Sequence, residues 1–179
     1  MDIKKILALT VIVLAVFSCM NVASAGLFDF LLGPSEAANQ TYAFDGFTLD
    51  IPETANVTKN VTVGDGYNQT DYSINWTSGD NSKNVTNIGV SVAKGSVIVT
   101  TAEEFVYNWV ADGAKSLGNY SGWSVIDVNG VPVKLFQDYG LNFTYSGYML
   151  AKHTGSELIV IEGDDLALLK NIADTYKKA

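Results

Sequence analysis

Apolar and polar side chains alternate along most of the chain after residue 41. Phe47, Leu49 and Ile51 share one side of a short strand that Pro52 stops. From Asn56 to Asn87 the chain is polar, but Tyr72, Ile74 and Trp76 alternate with Ser73, Asn75 and Thr77, the pattern of hairpins with one solvated face. Ile88, Val90 and Val92 continue the sheet, and Val97 to Thr100 extend it after a turn at Lys94-Gly95. The period then changes. Thr101 and Glu104 form a capping box, and Phe105, Val106, Trp109, Val110 and Leu117 fall on one helical face before Gly118 as C-terminal cap. Strand Ser124 to Val128, an Asn129-Gly130 tight turn and strand Val131 to Phe136 make a hairpin. Leu141, Phe143, Tyr145, Met149 and Ala151 share parity on a long strand, which Thr154-Gly155-Ser156 turns into Leu158 to Ile161. Asp164 or Asp165 caps a last helix with Leu166, Leu169, Ile172, Ala173 and Tyr176 as its buried stripe and Lys177 and Lys178 at its C-terminus.

The order is four or so strands, a helix, four strands and a helix. Hairpin connections make the sheet mainly antiparallel, so the expected class is α+β, with two principal helices packed on the sheet and a single domain over residues 41–179. Phe47-Thr48-Leu49-Asp50-Ile51-Pro52 as an opening strand, Val128-Asn129-Gly130-Val131-Pro132 at the midpoint and Leu158 to Tyr176 as closing strand and helix resemble the Mog1/PsbP-like group. The resemblance spans most of residues 42–178 and implies an α/β/α sandwich. It carries over no ligand or catalytic residue.

Ahead of the domain, Lys4 and Lys5, an apolar run from Ile6 to Val16 and Ala23-Ser24-Ala25 read as a secretory signal over residues 1–25, cleaved between Ala25 and Gly26. Two rivals remain: Val16-Phe17-Ser18-Cys19 is a loose lipobox that would place a lipid on Cys19, and an uncleaved anchor would need more than this apolar run, which is shorter than the ~20 residues of a membrane span. Residues 26–40 form an apolar segment and linker, in which Leu27, Phe28, Phe30, Leu31 and Leu32 either touch a membrane surface or pack on the domain. The leader and the Gly-Leu-Phe-Asp-Phe start that follows it at Gly26 also resemble small secreted proteins of methanogenic archaea.

Export gives meaning to the asparagines. Asn39, Asn56, Asn60, Asn68, Asn75, Asn84, Asn119 and Asn142 each head an Asn-x-Ser/Thr sequon, where chance predicts roughly two. Alternating strands can generate the pattern incidentally, because residues two apart share a face. The same geometry places a glycan on the wet face while an apolar middle residue, such as Trp76 or Phe143, packs inward. After the leader the chain keeps nine lysines against eighteen carboxylates and no cysteine or arginine. That balance repels anionic polymers, removes the guanidinium fork from nucleic-acid recognition and rules out disulfides and thiolate chemistry.

Catalytic signatures are sparse. His153, the one imidazole, sits beside a turn, and no nucleophile elbow, zinc-binding helix or phosphate loop is present. The adjacent acids Glu103-Glu104 and Asp164-Asp165 stand at helix starts, where they cap amides. Gly64 to Asp71 could bind calcium through loop oxygens around Asp65-Gly66 but lacks the spaced ligands of an EF-hand. Tyr67 and Trp123, near turns, are the candidates for exposed sugar-stacking rings. No catalytic, metal or cofactor-binding residue is assigned. The expectation is an exported, N-glycosylated, non-enzymatic accessory or interaction protein at or outside the cell surface, with a protein or cell-envelope partner. The alternatives are a carboxylate-based carbohydrate hydrolase and a small-ligand or calcium-binding module.

Overall fold

The computed structural model describes residues 39–64, 67–77, 85–95, 113–132, 144–155 and 157–179. Strands β1 (Asn39–Ala43), β2 (Phe47–Pro52) and β10 (Lys177–Lys178) form a small antiparallel sheet in the order β1-β2-β10. Strands β3 (Asn56–Gly64), β4 (Tyr67–Thr77), β5 (Val85–Gly95), β6 (Lys115–Tyr120), β7 (Trp123–Asp127), β8 (Tyr148–Thr154) and β9 (Glu157–Gly163) form a seven-stranded antiparallel sheet, in the order β3-β4-β5-β9-β8-β7-β6. Helix α1 (Leu166–Asp174) packs against β8, β9 and β2.

The fold is therefore β-rich, with one helix among the described residues. The expected α/β/α sandwich with two principal helices is not what the chain builds. Residues 101–112 of the first expected helix, Trp109 included, lie outside the described residues. Its expected end is strand: Leu117 and Gly118 belong to edge strand β6, with Leu117 half exposed. Gly118, at φ +88°, takes up the register shift between Ser116 and Asn119, so the glycine marks a bulge and not a helix cap.

The first face of the large sheet is the main core. Tyr72, Ile74 and Trp76 of β4 are buried as the alternation requires, together with Ile88, Val90 and Val92 of β5, Ile159 and Ile161 of β9, Leu150 of β8 and Trp123 and Val125 of β7. Phe47, Leu49 and Ile51 of β2 pack into the same core from the small sheet. An aromatic seam crosses it: Tyr72 meets Phe44 edge-on at 4.9 Å, Phe44 stacks on Phe47 at 5.2 Å, Phe47 tilts against Tyr176 at 5.5 Å, and Tyr176 meets Trp123 edge-on at 5.6 Å. Trp123 is thus 1% exposed, not an open stacking ring.

Asp165 caps α1, its Oδ1 accepting from the Ala167 and Leu168 amides at 2.8 and 3.0 Å. Leu168, Leu169, Ile172 and Ala173 form the buried stripe, while Leu166 and Tyr176 are half-buried. The helix stops at Asp174, where the Thr175 hydroxyl donates to Ile172 O and accepts from the Asp50 amide. Lys177 and Lys178 leave the helix and pair with Thr48 and Phe47, so they complete the small sheet in place of complementing a helix dipole.

The Asn129-Gly130 turn is present, but the chain beyond it does not pair with β7, whose neighbours are β6 and β8. Gly130 N donates to Tyr145 O, Tyr145 N to Val131 O, and Pro132 bridges Thr144; residues 133–143 of the expected strands lie outside the described residues. The long strand expected to run through Tyr145 starts only at Tyr148. Gly147, at φ +120°, passes so close to β9 that a Cβ would lie 2.8 Å from the Gly163 carbonyl carbon, and its amide donates to Asn129 Oδ1. Only glycine fits that crossing.

Trp123→Ala should remove the end of the aromatic seam and destabilise the protein by about 3–5 kcal/mol. Urea denaturation measures this, and a loss below about 1 kcal/mol would show that the seam does not hold the two sheets together.

Candidate functional site

The second face of the large sheet is buried as well, and it is not uniformly apolar. Cross-strand pairing places Ser73, Gly89, Glu162 and Met149 in one row across β4, β5, β9 and β8. The next row holds Asp71, Ser91, Val160 and Ala151, and the one after it Gln69, Ala93, Leu158 and His153. Gln69, Asp71, Ser91 and Glu162 are 0%, 1%, 4% and 4% exposed.

Small residues on β5 make this possible. Gly89 lies under the Glu162 side chain, and a Cβ there would stand 2.7 Å from Glu162 Cγ. The missing side chain lets Glu162 lie across β5 on the Asp71 side of the sheet. Asp71 Oδ1 accepts from Gln69 Nε2 and from Ser91 Oγ, each at 2.8 Å. Asp71 Oδ2, Gln69 Oε1 and both Glu162 carboxyl oxygens are buried without a hydrogen-bond partner.

Burial pushes the Asp71 carboxyl above its ordinary range, against the two hydrogen bonds that favour its charged form. Glu162 has no such donors. Burial first, and the nearby Asp71 charge second, push it up to about 8. Of the two carboxyls, Glu162, which lacks any donor, therefore holds its proton near neutral pH. The lysine of β5 gives no relief: Lys94 projects on the opposite face, where it pairs with Glu157 at 3.1 Å and Asp45 at 3.5 Å.

The sequons are distributed around the outside. Asn39, Asn56, Asn60, Asn68 and Asn119 are exposed and Asn75 is half-buried, its Nδ2 donating to Ser73 Oγ at 3.4 Å. Their hydroxyl residues differ more. Thr41, Thr58, Thr77 and Ser121 are exposed and Thr62 half-buried, but Thr70, of the Asn68 sequon, is only 5% exposed. Asn39 lies on β1, Asn56 and Asn60 on β3 and Asn119 on β6, which are outermost strands of their sheets. Asn84 and Asn142 lie outside the described residues, as do Ala25 and Gly26 of the cleavage site, Cys19, the apolar Leu27, Phe28, Phe30, Leu31 and Leu32, the Glu103-Glu104 pair and Asp65-Gly66.

No protein-family model matches the chain, and no curated protein does. Among the described residues, no helix is long and apolar enough to cross a membrane, and no three His, Cys, Asp or Glu side chains gather around one point. His153 is half-buried in β8, opposite Leu158.

The acid pair itself was missed in the sequence. Polar residues alternating along β4 read as a solvated face, which holds for Thr77 but fails at Gln69 and Asp71. The available signal was Glu162, which shares the parity of Leu158 and Val160 in an otherwise apolar run.

Glu162 binds a proton in the folded state that the unfolded chain has already released above its ordinary carboxyl pKa. Stability should accordingly fall as pH rises from about 4.5 towards about 8, by up to about 1.4 kcal/mol per pH unit, and level off above that. Glu162→Gln should flatten this slope in urea melts run from pH 5 to 9 in monovalent buffers. An unchanged slope would place the titrating group elsewhere.

Proposed function

We propose that the chain is an exported glycoprotein domain that works without catalysis at or outside the cell surface, as an accessory or interaction protein. One observation carries this reading: all six sequon asparagines among the described residues are exposed or half-buried, although the sheet that carries five of them buries both faces of its central strands. A pattern produced only by strand alternation would place asparagines on those buried faces too. The leader, with its Ala23-Ser24-Ala25 site, supports delivery to a compartment where such sites are modified.

The positions also suit the sheet's needs. Outer strands present unpaired amides and carbonyls that invite pairing with other chains. Glycans at Asn39, Asn56, Asn60 and Asn119 stand on such strands and screen them. Asn68 needs modification before folding, since its Thr70 hydroxyl is covered afterwards. A hydrolase reading gains nothing from Asp71 and Glu162, because carboxyls 1% and 4% exposed do not reach a polysaccharide.

Intact mass and peptide mapping of protein from its native host should give Gly26 as the N-terminus and glycan on Asn39, Asn56, Asn60 and Asn119. Replacing any of these four by Gln should change stability by no more than about 0.5 kcal/mol. Unmodified asparagines at all four positions would overturn the surface-glycoprotein reading, and a lipid recovered on Cys19 would replace secretion by anchoring.

A further inference from the structure

We propose that Gln69, Asp71 and Glu162 form a buried binding site for a single divalent hard cation, calcium, magnesium or manganese. The site rests on four oxygens that share one buried face and lack partners: Asp71 Oδ2, Glu162 Oε1 and Oε2, and Gln69 Oε1. Buried polar atoms in folded proteins are almost always satisfied, so four together require a common explanation. A proton shared by the two carboxyls answers for part of the set. Held between the two carboxyls, that proton is not donated to the Gln69 carbonyl, which stays without a donor. Gln69 is 0% exposed, and its Nε2 donates to Asp71 Oδ1 at 2.8 Å, which holds the amide group, its oxygen included, beside Asp71.

Charge points the same way. Two carboxylates are buried on this face, and Lys94 is turned to the other. One proton leaves a net negative charge in a low-dielectric environment, whereas one divalent ion neutralises both carboxylates. The donors are all oxygen, with no imidazole or thiolate, which selects hard cations over zinc or copper. Ser91 Oγ and Gln69 Nε2 both donate to Asp71 Oδ1, the arrangement by which outer groups fix a ligand and leave its other oxygen to the metal. Gly89 supplies the clearance that brings Glu162 across. The site differs from the Gly64–Asp71 loop considered from sequence, because its ligands come from β4 and β9, ninety-one positions apart at Asp71 and Glu162, and not from consecutive loop oxygens.

The test uses the purified chain from a host that does not glycosylate it, so that it is independent of the surface-glycoprotein reading. Chelator-stripped protein is titrated at pH 7.5 with calcium, magnesium or manganese chloride, by calorimetry and by thermal melting. At least one ion should bind with one-to-one stoichiometry and raise the melting temperature, and Asp71→Asn and Glu162→Gln should each weaken that binding by more than about tenfold. Uptake of none of the three ions at millimolar concentration, or wild-type affinity in folded Glu162→Gln, would overturn the site. Infrared spectroscopy of the wild-type chain provides a check that needs no variant to fold. A protonated-carboxyl band in stripped protein should disappear on saturation with the binding ion, and its persistence would show that the pair is closed by a proton alone.

Discussion

Strands in the middle of a wide sheet cannot choose a face to hide, and that constraint orders this molecule. β5 and β9 bury both sides. Towards the first face they present Ile88, Val90, Val92, Ile159 and Ile161, and towards the second Gly89, Ser91, Ala93, Leu158, Val160 and Glu162. The two second-face rows of side chains are complementary in size. β5 offers only a hydrogen, a hydroxymethyl and a methyl, so the longer side chains of its neighbours extend over it. Glu162 takes the space above Gly89 and Asp71 faces Ser91. The acid pair is thus a direct consequence of how β5 is built, and a larger residue at Gly89 would expel Glu162 before it disturbed the backbone ladder.

The first face imposes a different order, from the outside of the chain inwards. The C-terminal segment has few residues but touches both sheets. Thr175 joins the end of α1 to the Asp50 amide, Lys177 and Lys178 extend the small sheet, and the Ala179 amide donates to Gly46 O. Tyr176 sits between Phe47 and Trp123 with the Lys152 ammonium 5.3 Å from both the Tyr176 and Trp123 rings. The small sheet and the Trp123 end of the core are therefore joined through one residue, Tyr176. The Tyr120 hydroxyl and Ser121 Oγ, both donating to Asp174, add a polar clasp from β6 to the helix end at the rim of the same region.

Local periodicity was a faithful guide where one face is wet and a poor one where neither is. The alternation in β2 and in Tyr72–Trp76 correctly gave the buried set, and Asp165 and the Leu169–Ile172–Ala173 stripe were legible because capping and helical spacing are local properties. Gly118 misled because a glycine ending a helix and a glycine in a bulge carry the same letter. Lys177 and Lys178 misled because their pairing with β2, about 130 positions earlier in the chain, has no local signature. Trp123 looked exposed by its place next to a turn, but the ring extends away from the turn into the seam. The candidate site was the least legible part. Gln69 and Asp71 resemble wet-face residues until β3, β5 and β9 are in place around them, and only the long-range order β4-β5-β9 brings Glu162 near.

The acid pair also bears on how a domain without disulfides is held closed. The sequence has a single cysteine, Cys19, so no disulfide within the chain restrains its unfolded form. A cation shared by Asp71 and Glu162 would act on the same entropy, because it joins residues from β4 and β9 across the intervening β5 and closes a long loop that holds every strand from β5 to β8. Its effect would be greatest where the apo form is weakest: as pH rises through about 8 Glu162 loses its proton in a buried place beside Asp71, and it is there that a neutralising ion removes the most unfavourable energy. A hydrophobic pair at these positions would give a more stable apo protein. Two acids, a glycine beneath one and two donors fixed on the other would make instead, with the proposed ion, a domain whose stability follows the ions and pH of its medium.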